Sequence, residues 1–190
     1  MRKTNETVTS LTGFAEDELL SRARRLDRYA LGELHERYYP QVYPYVYFRL
    51  GDEPASQDIA AEVFLRFLEA ARRRRGPRRD LSAWLLSTAA RLVDERLQAG
   101  GENTSRHSER PSLLDHLPGL DDQEAQLQTL QARQALQSLP PDLQHFLALR
   151  FACPCTLEEA SARLEKAGGD TRGLQFRALS ALRRALEKSA

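Results

Sequence analysis

The side chains of this chain that could do chemistry are arginines, and their densest group lies near the middle of the sequence. Six of the eight residues at positions 72–79 are arginine, on either side of a Gly-Pro step: Arg72, Arg73, Arg74, Arg75, Arg78 and Arg79. We call these six residues the arginine cluster. Guanidinium groups bind phosphate oxygens through paired N–H donors. Amphipathic segments on both sides make the stretch a loop on a rigid frame, which favours phosphate binding over the alternative, a solvated charge run.

A second group of hydrogen-bond donors lies in a segment that predicts a helix-turn-helix over residues 157–186. Thr156 and Glu159 form a capping box for a short first helix. Residues 166–169 contain two glycines and predict a turn, after which Asp170 can cap a longer helix. One face of the longer helix is apolar at four-residue spacing: Leu174, Ala178, Leu182 and Leu186.

The remaining surface of the longer helix carries donors: Arg172, Gln175, Arg177, Arg183 and Arg184. A tight turn lets such a helix lie in a DNA major groove, where arginine and glutamine bind base edges and phosphates. Arginine-rich surface helices are common, so a helical hairpin with a solvated basic face is the alternative.

Chemistry of other kinds has little support in the sequence. Cys153, Cys155 and His145 could supply three zinc ligands, but no fourth ligand is evident, and two small buried side chains are the simpler interpretation of the cysteines. The sequence contains no coherent nucleophile–base set and no phosphate-binding glycine loop, which argues against an enzyme. We therefore expect no bound metal and no cofactor.

The composition of the 190-residue chain predicts an all-α protein, because helix-forming residues are frequent and β-branched residues are few. The net charge is only +1, so any affinity for DNA must come from local patches such as the arginine cluster. We expect a cytoplasmic protein, because no apolar run reaches the length of a membrane span and the N-terminal residues lack an apolar signal segment. The two closely spaced cysteines fit a reducing compartment.

Breaks in the pattern divide the chain into two small helical domains joined by a flexible linker. The predicted segments are a disordered N-terminus (1–14), a first domain (15–98), the linker (99–122) and a second domain (123–190). The linker contains a Gly-Gly step and two prolines and has only weak apolar islands. Helices in the second domain are predicted over residues 123–138 and from Pro141 to Arg150, before the helix-turn-helix.

The most aromatic part of the chain, residues 29–50, follows a predicted first helix over residues 16–25. Its aromatic side chains indicate core and interface rather than a platform for stacked bases. Pro40 and Pro44 interrupt the segment, so we expect a kinked helix or two short helices.

The helix before the arginine cluster begins at Pro54, a residue that suits the first helical position. Asp58, Glu62 and Arg66 lie on one of its faces at four-residue spacing. They form either a salt-bridged surface or a docking face for another protein.

The helix after the cluster begins at Asp80 or Ser82 and contains the only tryptophan, Trp84. We expect Trp84 in the core rather than against a base. Arg91 and Arg96 could bind nucleic acid, or could pair with the neighbouring acids.

Together the two halves resemble an extracytoplasmic-function (ECF) sigma factor of the sigma-70 class. In the first half the resemblance lies in residues 34–43 (LHERYYPQVY), 58–66 (DIAAEVFLR) and 83–91 (AWLLSTAAR). In the second half it lies in residues 135–140 (ALQSLP), 147–151 (LALRF) and 172–183 (RGLQFRALSALR). The order and spacing of these segments are specific to the family.

The resemblance implies a promoter-specificity subunit that binds bacterial core RNA polymerase and directs transcription initiation at −10 and −35 elements. It assigns polymerase binding to Asp58, Glu62, Val63, Phe64 and Arg66. It assigns capture of flipped −10 bases to Arg75, Arg78, Arg79, Trp84 and Arg91. It assigns −35 recognition to Thr171, Arg172, Gln175 and Arg177. The implied partners are core polymerase, promoter DNA and, as a further partner, an anti-sigma factor.

Departures from the family pattern keep other functions open. Residues 94–100, after the tryptophan helix, are less basic than the family usually has. This favours, as an alternative, a sigma-fold regulatory protein that docks on polymerase or a partner but reads promoters poorly. An ordinary helix-turn-helix repressor would explain the second half and leave the first half without a role.

Overall fold

The computed structural model describes residues 15–100, 123–153 and 171–189, and every regular element within these ranges is an α-helix. The helices are α1 (Glu16–Ala23), α2 (Arg28–Leu50), α3 (Glu53–Arg72), α4 (Leu81–Gly100), α5 (Gln123–Gln137), α6 (Pro141–Phe151) and α7 (Thr171–Ser189). The predicted all-α class is confirmed. In the described part of the chain, no helix is both long enough and apolar enough to cross a membrane.

Several sequence predictions fall outside the described residues. They are the N-terminal segment 1–14, linker residues 101–122, and the first helix and turn of the helix-turn-helix with its capping residues 156, 159 and 170. Helix α4 continues to Gly100, so residues 99 and 100 belong to this helix and not to the linker. The remaining domain boundaries stay predictions.

Aspartates begin three of the helices in the first half. The Asp27 carboxylate accepts the N–H groups of Tyr29 and Ala30 at the start of α2. Asp52 accepts the N–H of Ala55 at 2.7 Å before α3. Asp80, rather than Ser82, caps α4, because its carboxylate accepts the N–H of Ala83 at 2.9 Å. These acids satisfy N–H groups that have no partner inside the helix.

Helix α2 is a single helix of 23 residues although Pro40 and Pro44 lie inside it. Of the two alternatives, a kinked helix or two short helices, the second is therefore wrong. Each proline removes one backbone hydrogen bond and costs about 3 kcal/mol in a helix interior. Packing on several sides outweighs this cost, because α2 contacts α1, α3, α4 and α6.

The core of the first half forms around α2. Its buried side chains Leu34, Val42 and Val46 belong to one apolar cluster with side chains of the three neighbouring helices: Leu19 of α1, Val63 and Phe67 of α3, and Leu85 and Leu86 of α4. Burial of such side chains is the main favourable term in folding.

A charged residue is buried within this frame. Arg49 of α2 is 1% exposed. Its Nη2 donates to Oδ1 of Asp94 on α4 at 2.7 Å, and its Nη1 donates to the hydroxyl oxygen of Tyr45 at 3.2 Å. A buried guanidinium needs such partners, because removal from water is costly for an unpaired charge.

In the second half, α7 packs against α5 and α6. Gln144 of α6 is buried, and its Nε2 donates to the carbonyl oxygens of Gln137 and Leu139 at the end of α5. Helix α6 also packs against α2, and the buried side chains of the two halves form one contiguous cluster. The two predicted domains therefore touch each other through α2 and α6.

We predict that Asp94→Asn lowers the free energy of unfolding by about 3 kcal/mol, because it leaves the buried Arg49 without a counter-charge. The matched control is Glu95→Gln on the same helix. Glu95 forms only an exposed 3.9 Å pair with Arg91, so its loss should cost less than about 0.5 kcal/mol. Urea denaturation followed by circular dichroism measures both values. Equal destabilisation by the two substitutions would contradict the role given to Arg49.

Candidate nucleic-acid interface

The arginine cluster lies on the loop between α3 and α4, and hydrogen bonds fix the backbone of its first half. The Arg74 N–H donates to the carbonyl of Ala71 at 3.0 Å, and the Arg75 N–H donates to the carbonyl of Ala70 at 2.8 Å. This is the pattern of a Schellman motif, in which Arg74 has the positive φ of 56° that glycine usually adopts. A non-glycine residue costs about 1 kcal/mol in this conformation. The backbone at Arg74 is therefore strained, although glycine would relieve the strain.

All six side chains of the arginine cluster are exposed. None of them forms an ion pair with a described residue. Six uncompensated guanidinium groups on one short loop create a strongly positive potential, which attracts phosphate groups from solution. The geometry therefore suits binding of a nucleic-acid backbone.

The surface that begins at the arginine cluster extends along helix α4. Trp84, in the first turn, is half-buried and packs edge-on against Phe67 with ring centroids 6.0 Å apart. It contributes to the core, as the sequence predicted, and part of its ring stays accessible. Arg91 follows two helical turns later on the same face and is exposed. Its Nη1 lies 3.9 Å from Oε1 of Glu95. Pairing with a neighbouring acid was one of the two alternatives that the sequence allowed for Arg91.

The predicted docking helix is α3, and only some of the side chains assigned to polymerase binding are exposed on it. Asp58 and Arg66 are exposed, and the Arg66 Nε donates to Glu62 Oε1 at 2.6 Å. This hydrogen bond raises the pKa of Arg66 above its usual value. Val63 has no exposed surface and Phe64 is 9% exposed. Val63 therefore packs α3 against the core, and its assignment to polymerase binding stays a prediction.

Leu65 is a surface residue of α3 that the sequence analysis did not single out. It is 48% exposed although its side chain is apolar. It lies seven residues after Asp58 and three after Glu62, so helical spacing places it in line with both. That spacing was the signal that could have identified it.

Helix α7 is amphipathic over its first half, as the sequence predicted, whereas Leu186 of the predicted apolar face is 36% exposed. Leu174 and Ala178 are buried, whereas Arg172 and Arg177 are exposed and Gln175 is half-buried. Thr171 is the first residue of the helix. The exposed arginines near the helix start can reach phosphates or base edges, which is the chemistry expected of a recognition helix.

Further side chains of α7 differ from the expectation. Phe176 is 72% exposed and Leu179, three residues later, is 38% exposed, and the sequence analysis identified neither. Phe176 follows Arg172 by four residues, which indicated its position on the outer face. Arg183 pairs with Glu187 at 2.8 Å, so its charge is partly compensated.

The residues considered for zinc have other partners. The hydroxyl group of Tyr45 lies 2.5 Å from Nδ1 of His145, and Sγ of Cys153 lies 3.4 Å from the carbonyl oxygen of Gln41. Cys155 lies outside the described residues. Within the part of the chain that the structure describes, no three histidine, cysteine or acidic side chains are grouped as metal ligands.

Comparisons with known proteins match both halves of the chain. The model of sigma-70 region 2 matches residues 34–100, and that of sigma-70 region 4 matches residues 135–184. The chain is 29% identical over 188 residues to the ECF RNA polymerase sigma factor BldN of Streptomyces coelicolor, covering 91% of this chain. It spans 66% of that relative's length. A solved structure described as the RsbN-BldN complex is 28% identical, with a TM-score of 0.38, over 87% of this chain and 97% of that chain.

We predict that replacing Arg75, Arg78 and Arg79 by glutamine weakens the salt dependence of single-strand DNA binding. If each arginine contacts one phosphate, the slope of log K against log salt falls by about 0.7 per residue, or about 2 in total. Fluorescence anisotropy with a labelled oligonucleotide over a series of KCl concentrations measures the slope.

The control for this experiment is Arg66→Gln, since the Arg66 guanidinium is already paired with Glu62. Its slope should equal that of the wild type. A triple variant that also keeps the wild-type slope would show that the arginine cluster does not contact phosphates.

Proposed function

We propose, on the premise that this chain belongs to the sigma-70 family and is of its ECF type, that it is a promoter-specificity subunit of bacterial RNA polymerase. The observation that supports this most is the presence of region 2 and region 4 on one chain, in that order. A promoter subunit needs both, because each binds a different element. A helix-turn-helix repressor needs only the second.

In this proposal the arginine cluster and α4 bind the −10 element. Arg75, Arg78 and Arg79 neutralise phosphates of the separated strand, and Trp84 and Arg91 lie along the same surface. A base captured outside the helical stack stabilises the melted DNA by binding alone. The function therefore needs no catalytic residue, and we propose that the protein is not an enzyme.

Core polymerase would bind the exposed face of α3. Asp58, Glu62 and Arg66 form a charged border, and Leu65 adds an exposed apolar side chain beside them. An apolar centre with a polar rim is typical of protein interfaces. Phe64, also assigned to polymerase binding, is 9% exposed, and its ring contacts the rings of His35 and Tyr39 on α2.

The −35 element would be bound by α7 through Thr171, Arg172, Gln175 and Arg177. Arginine and glutamine at the start of a recognition helix can donate pairs of hydrogen bonds to guanine and adenine. With promoter DNA and polymerase as partners, the protein would act in the cytoplasm. An anti-sigma factor, the third proposed partner, would act by covering one of these surfaces.

One observation favours the alternative, a sigma-fold regulator that docks on polymerase but reads promoters poorly. Glu95 lies 3.9 Å from Arg91, so an acid competes with DNA phosphates for one of the proposed −10 contacts. The two functions differ in their product, because only a promoter-specificity subunit yields transcripts from defined start sites.

The test is transcription in vitro by bacterial core polymerase on a library of genomic fragments, with and without this protein. We expect discrete new start sites that share two upstream elements. Tight polymerase binding without new start sites would instead support the regulator.

The experiment includes two charge reversals as an internal comparison. Asp58→Arg, on the proposed docking face, should reduce transcription about tenfold at limiting protein, because a reversed charge at an interface repels the matching charge of the partner. Asp17→Arg, at an exposed position of α1, should leave transcription unchanged. Equal activity of both variants would contradict the docking assignment.

A further inference from the structure

The corner between α1 and α2 carries a basic and aromatic patch to which the proposed function gives no role. We call it the basic corner and define it by Arg24, Arg25, Arg28 and Tyr29. Tyr29 is 68% exposed, and Arg25 and Arg28 are also exposed. The guanidinium carbon of Arg28 lies over the Tyr29 ring, 4.9 Å from its centroid. An arginine therefore covers one face of an exposed ring in a cation–π contact.

Hydrogen bonds hold the backbone of the basic corner in place. At the end of α1 the Leu26 N–H donates to the carbonyl oxygen of Ala23 at 2.9 Å, and the Asp27 N–H donates to that of Arg22 at 3.2 Å. These bonds form a Schellman motif in which Leu26 has a positive φ of 62°. The Asp27 carboxylate then caps α2. The same kind of motif begins the arginine cluster at Arg74, so both groups of cations lie on backbone fixed by hydrogen bonds.

The acids closest in sequence to the basic corner already have partners. Asp27 is paired with Arg22, with Oδ2 of the acid 2.7 Å from Nη2 of the arginine. Glu33, one turn after Tyr29, is paired with Arg37. The three arginines of the basic corner form no ion pair with a described residue. Three positive charges and an exposed ring are therefore available to a ligand.

The basic corner lies at the same end of the helical frame as the arginine cluster. Helices α2 and α3 run antiparallel, because only Gly51 and Asp52 join them. The Phe64 ring of α3 meets the His35 ring of α2 with centroids 4.7 Å apart. Helix α3 ends at Arg72, about 12 Å beyond Phe64, and the same distance back from His35 reaches the start of α2. The end of α3 and the start of α2 therefore lie side by side.

A single strand of nucleic acid matches both features of the basic corner. Its phosphates bind arginines, and its unpaired bases stack on aromatic rings. A base on the open face of Tyr29 would lie opposite Arg28, which covers the other face. Double-stranded DNA keeps its bases stacked on one another, so it offers no partner to the ring. A strand held by the arginine cluster can continue to the basic corner without leaving the positive surface.

We propose that the basic corner is a second single-strand site, which binds the part of the melted promoter strand that continues beyond the −10 element. Tyr29 stacks on one unpaired base, and Arg25 and Arg28 bind the phosphates beside it. The proposal rests on the proposed function, because that function supplies the melted strand. The site lengthens the stretch of unpaired DNA that the protein holds.

The first test measures binding of the free protein to thymidine oligonucleotides of about 5 and about 15 nucleotides by fluorescence anisotropy. Tyr29→Ala should weaken binding of the longer oligonucleotide about tenfold, an effect typical of the loss of one stacked base. Tyr29→Phe keeps the ring and should bind like the wild type. Replacement of Arg25 and Arg28 by glutamine should lower the slope of log K against log salt by about 1.4, the value for two phosphate contacts. The shorter oligonucleotide binds the larger arginine cluster and should respond to none of these changes.

The matched control is Phe151→Ala at the end of α6. Phe151 is 58% exposed and has the Arg150 guanidinium 6.0 Å from its ring centroid, so it repeats the ring and the cation outside the basic corner. This variant should bind both oligonucleotides like the wild type. Unchanged binding of the longer oligonucleotide by Tyr29→Ala, or an equal loss in Phe151→Ala, would overturn the second site. A loss of binding to anionic phospholipid vesicles in place of the oligonucleotide would assign the basic corner to a membrane surface and overturn it as well.

The second test places a photoreactive phenylalanine analogue at position 29 in a complex of core polymerase, this chain and promoter DNA. We expect crosslinks to the promoter strand next to the −10 element. Crosslinks to polymerase alone, in a complex that transcribes, would overturn the second site and leave the proposed function intact. A wild-type chain that neither binds polymerase nor supports transcription would refute the proposed function, whereas the oligonucleotide measurements would still decide whether the basic corner binds single strands.

Discussion

A positive charge buried in α2 determines how the helices of this protein fit together. Arg49 is almost completely enclosed, and a guanidinium group removed from water must keep an acid and further acceptors around it. Asp94 supplies the acid from α4, and the Tyr45 oxygen supplies an acceptor one turn earlier on α2. The same hydroxyl group forms a hydrogen bond with Nδ1 of His145 on α6. One charge thus links α2, α4 and α6, and with them the two halves of the chain.

The proposed partner surfaces depend on this frame. With α3 and α4 both packed on α2, the loop between them is anchored at its two ends, by the Schellman motif around Arg74 and by the Asp80 cap. The anchors keep six like charges close together although they repel one another, so a polyanion that approaches the loop relieves this repulsion. Val63 and Phe67 attach α3 to the core from the inner side, which leaves Asp58 and Leu65 facing outward.

The helices could be predicted from the sequence where their signals are local. Asp80 caps α4, and Pro54 and Pro141 lie in the first turns of α3 and α6, as predicted, because capping and proline geometry involve only adjacent residues. Contacts between distant residues could not be predicted, because the periodicity of one helix does not show which residue of another helix it will contact. Arg49 resembles an ordinary cation near a helix C-terminus, and its partner is 45 residues away, whereas Tyr45 and His145 are 100 residues apart. The burial of Val63 could not be predicted for a related reason, since a family resemblance identifies a helix without specifying which of its side chains face inward.

On the proposed function, this protein bound to core polymerase would open promoter DNA at the −10 element. Permanganate reactivity of thymines on a linear promoter tests it most directly, because permanganate oxidises unpaired thymines. We expect reactive thymines around the −10 element when both core polymerase and this protein are present, and none with either alone. Promoter DNA that stays fully paired in a complex containing polymerase and this protein would contradict it.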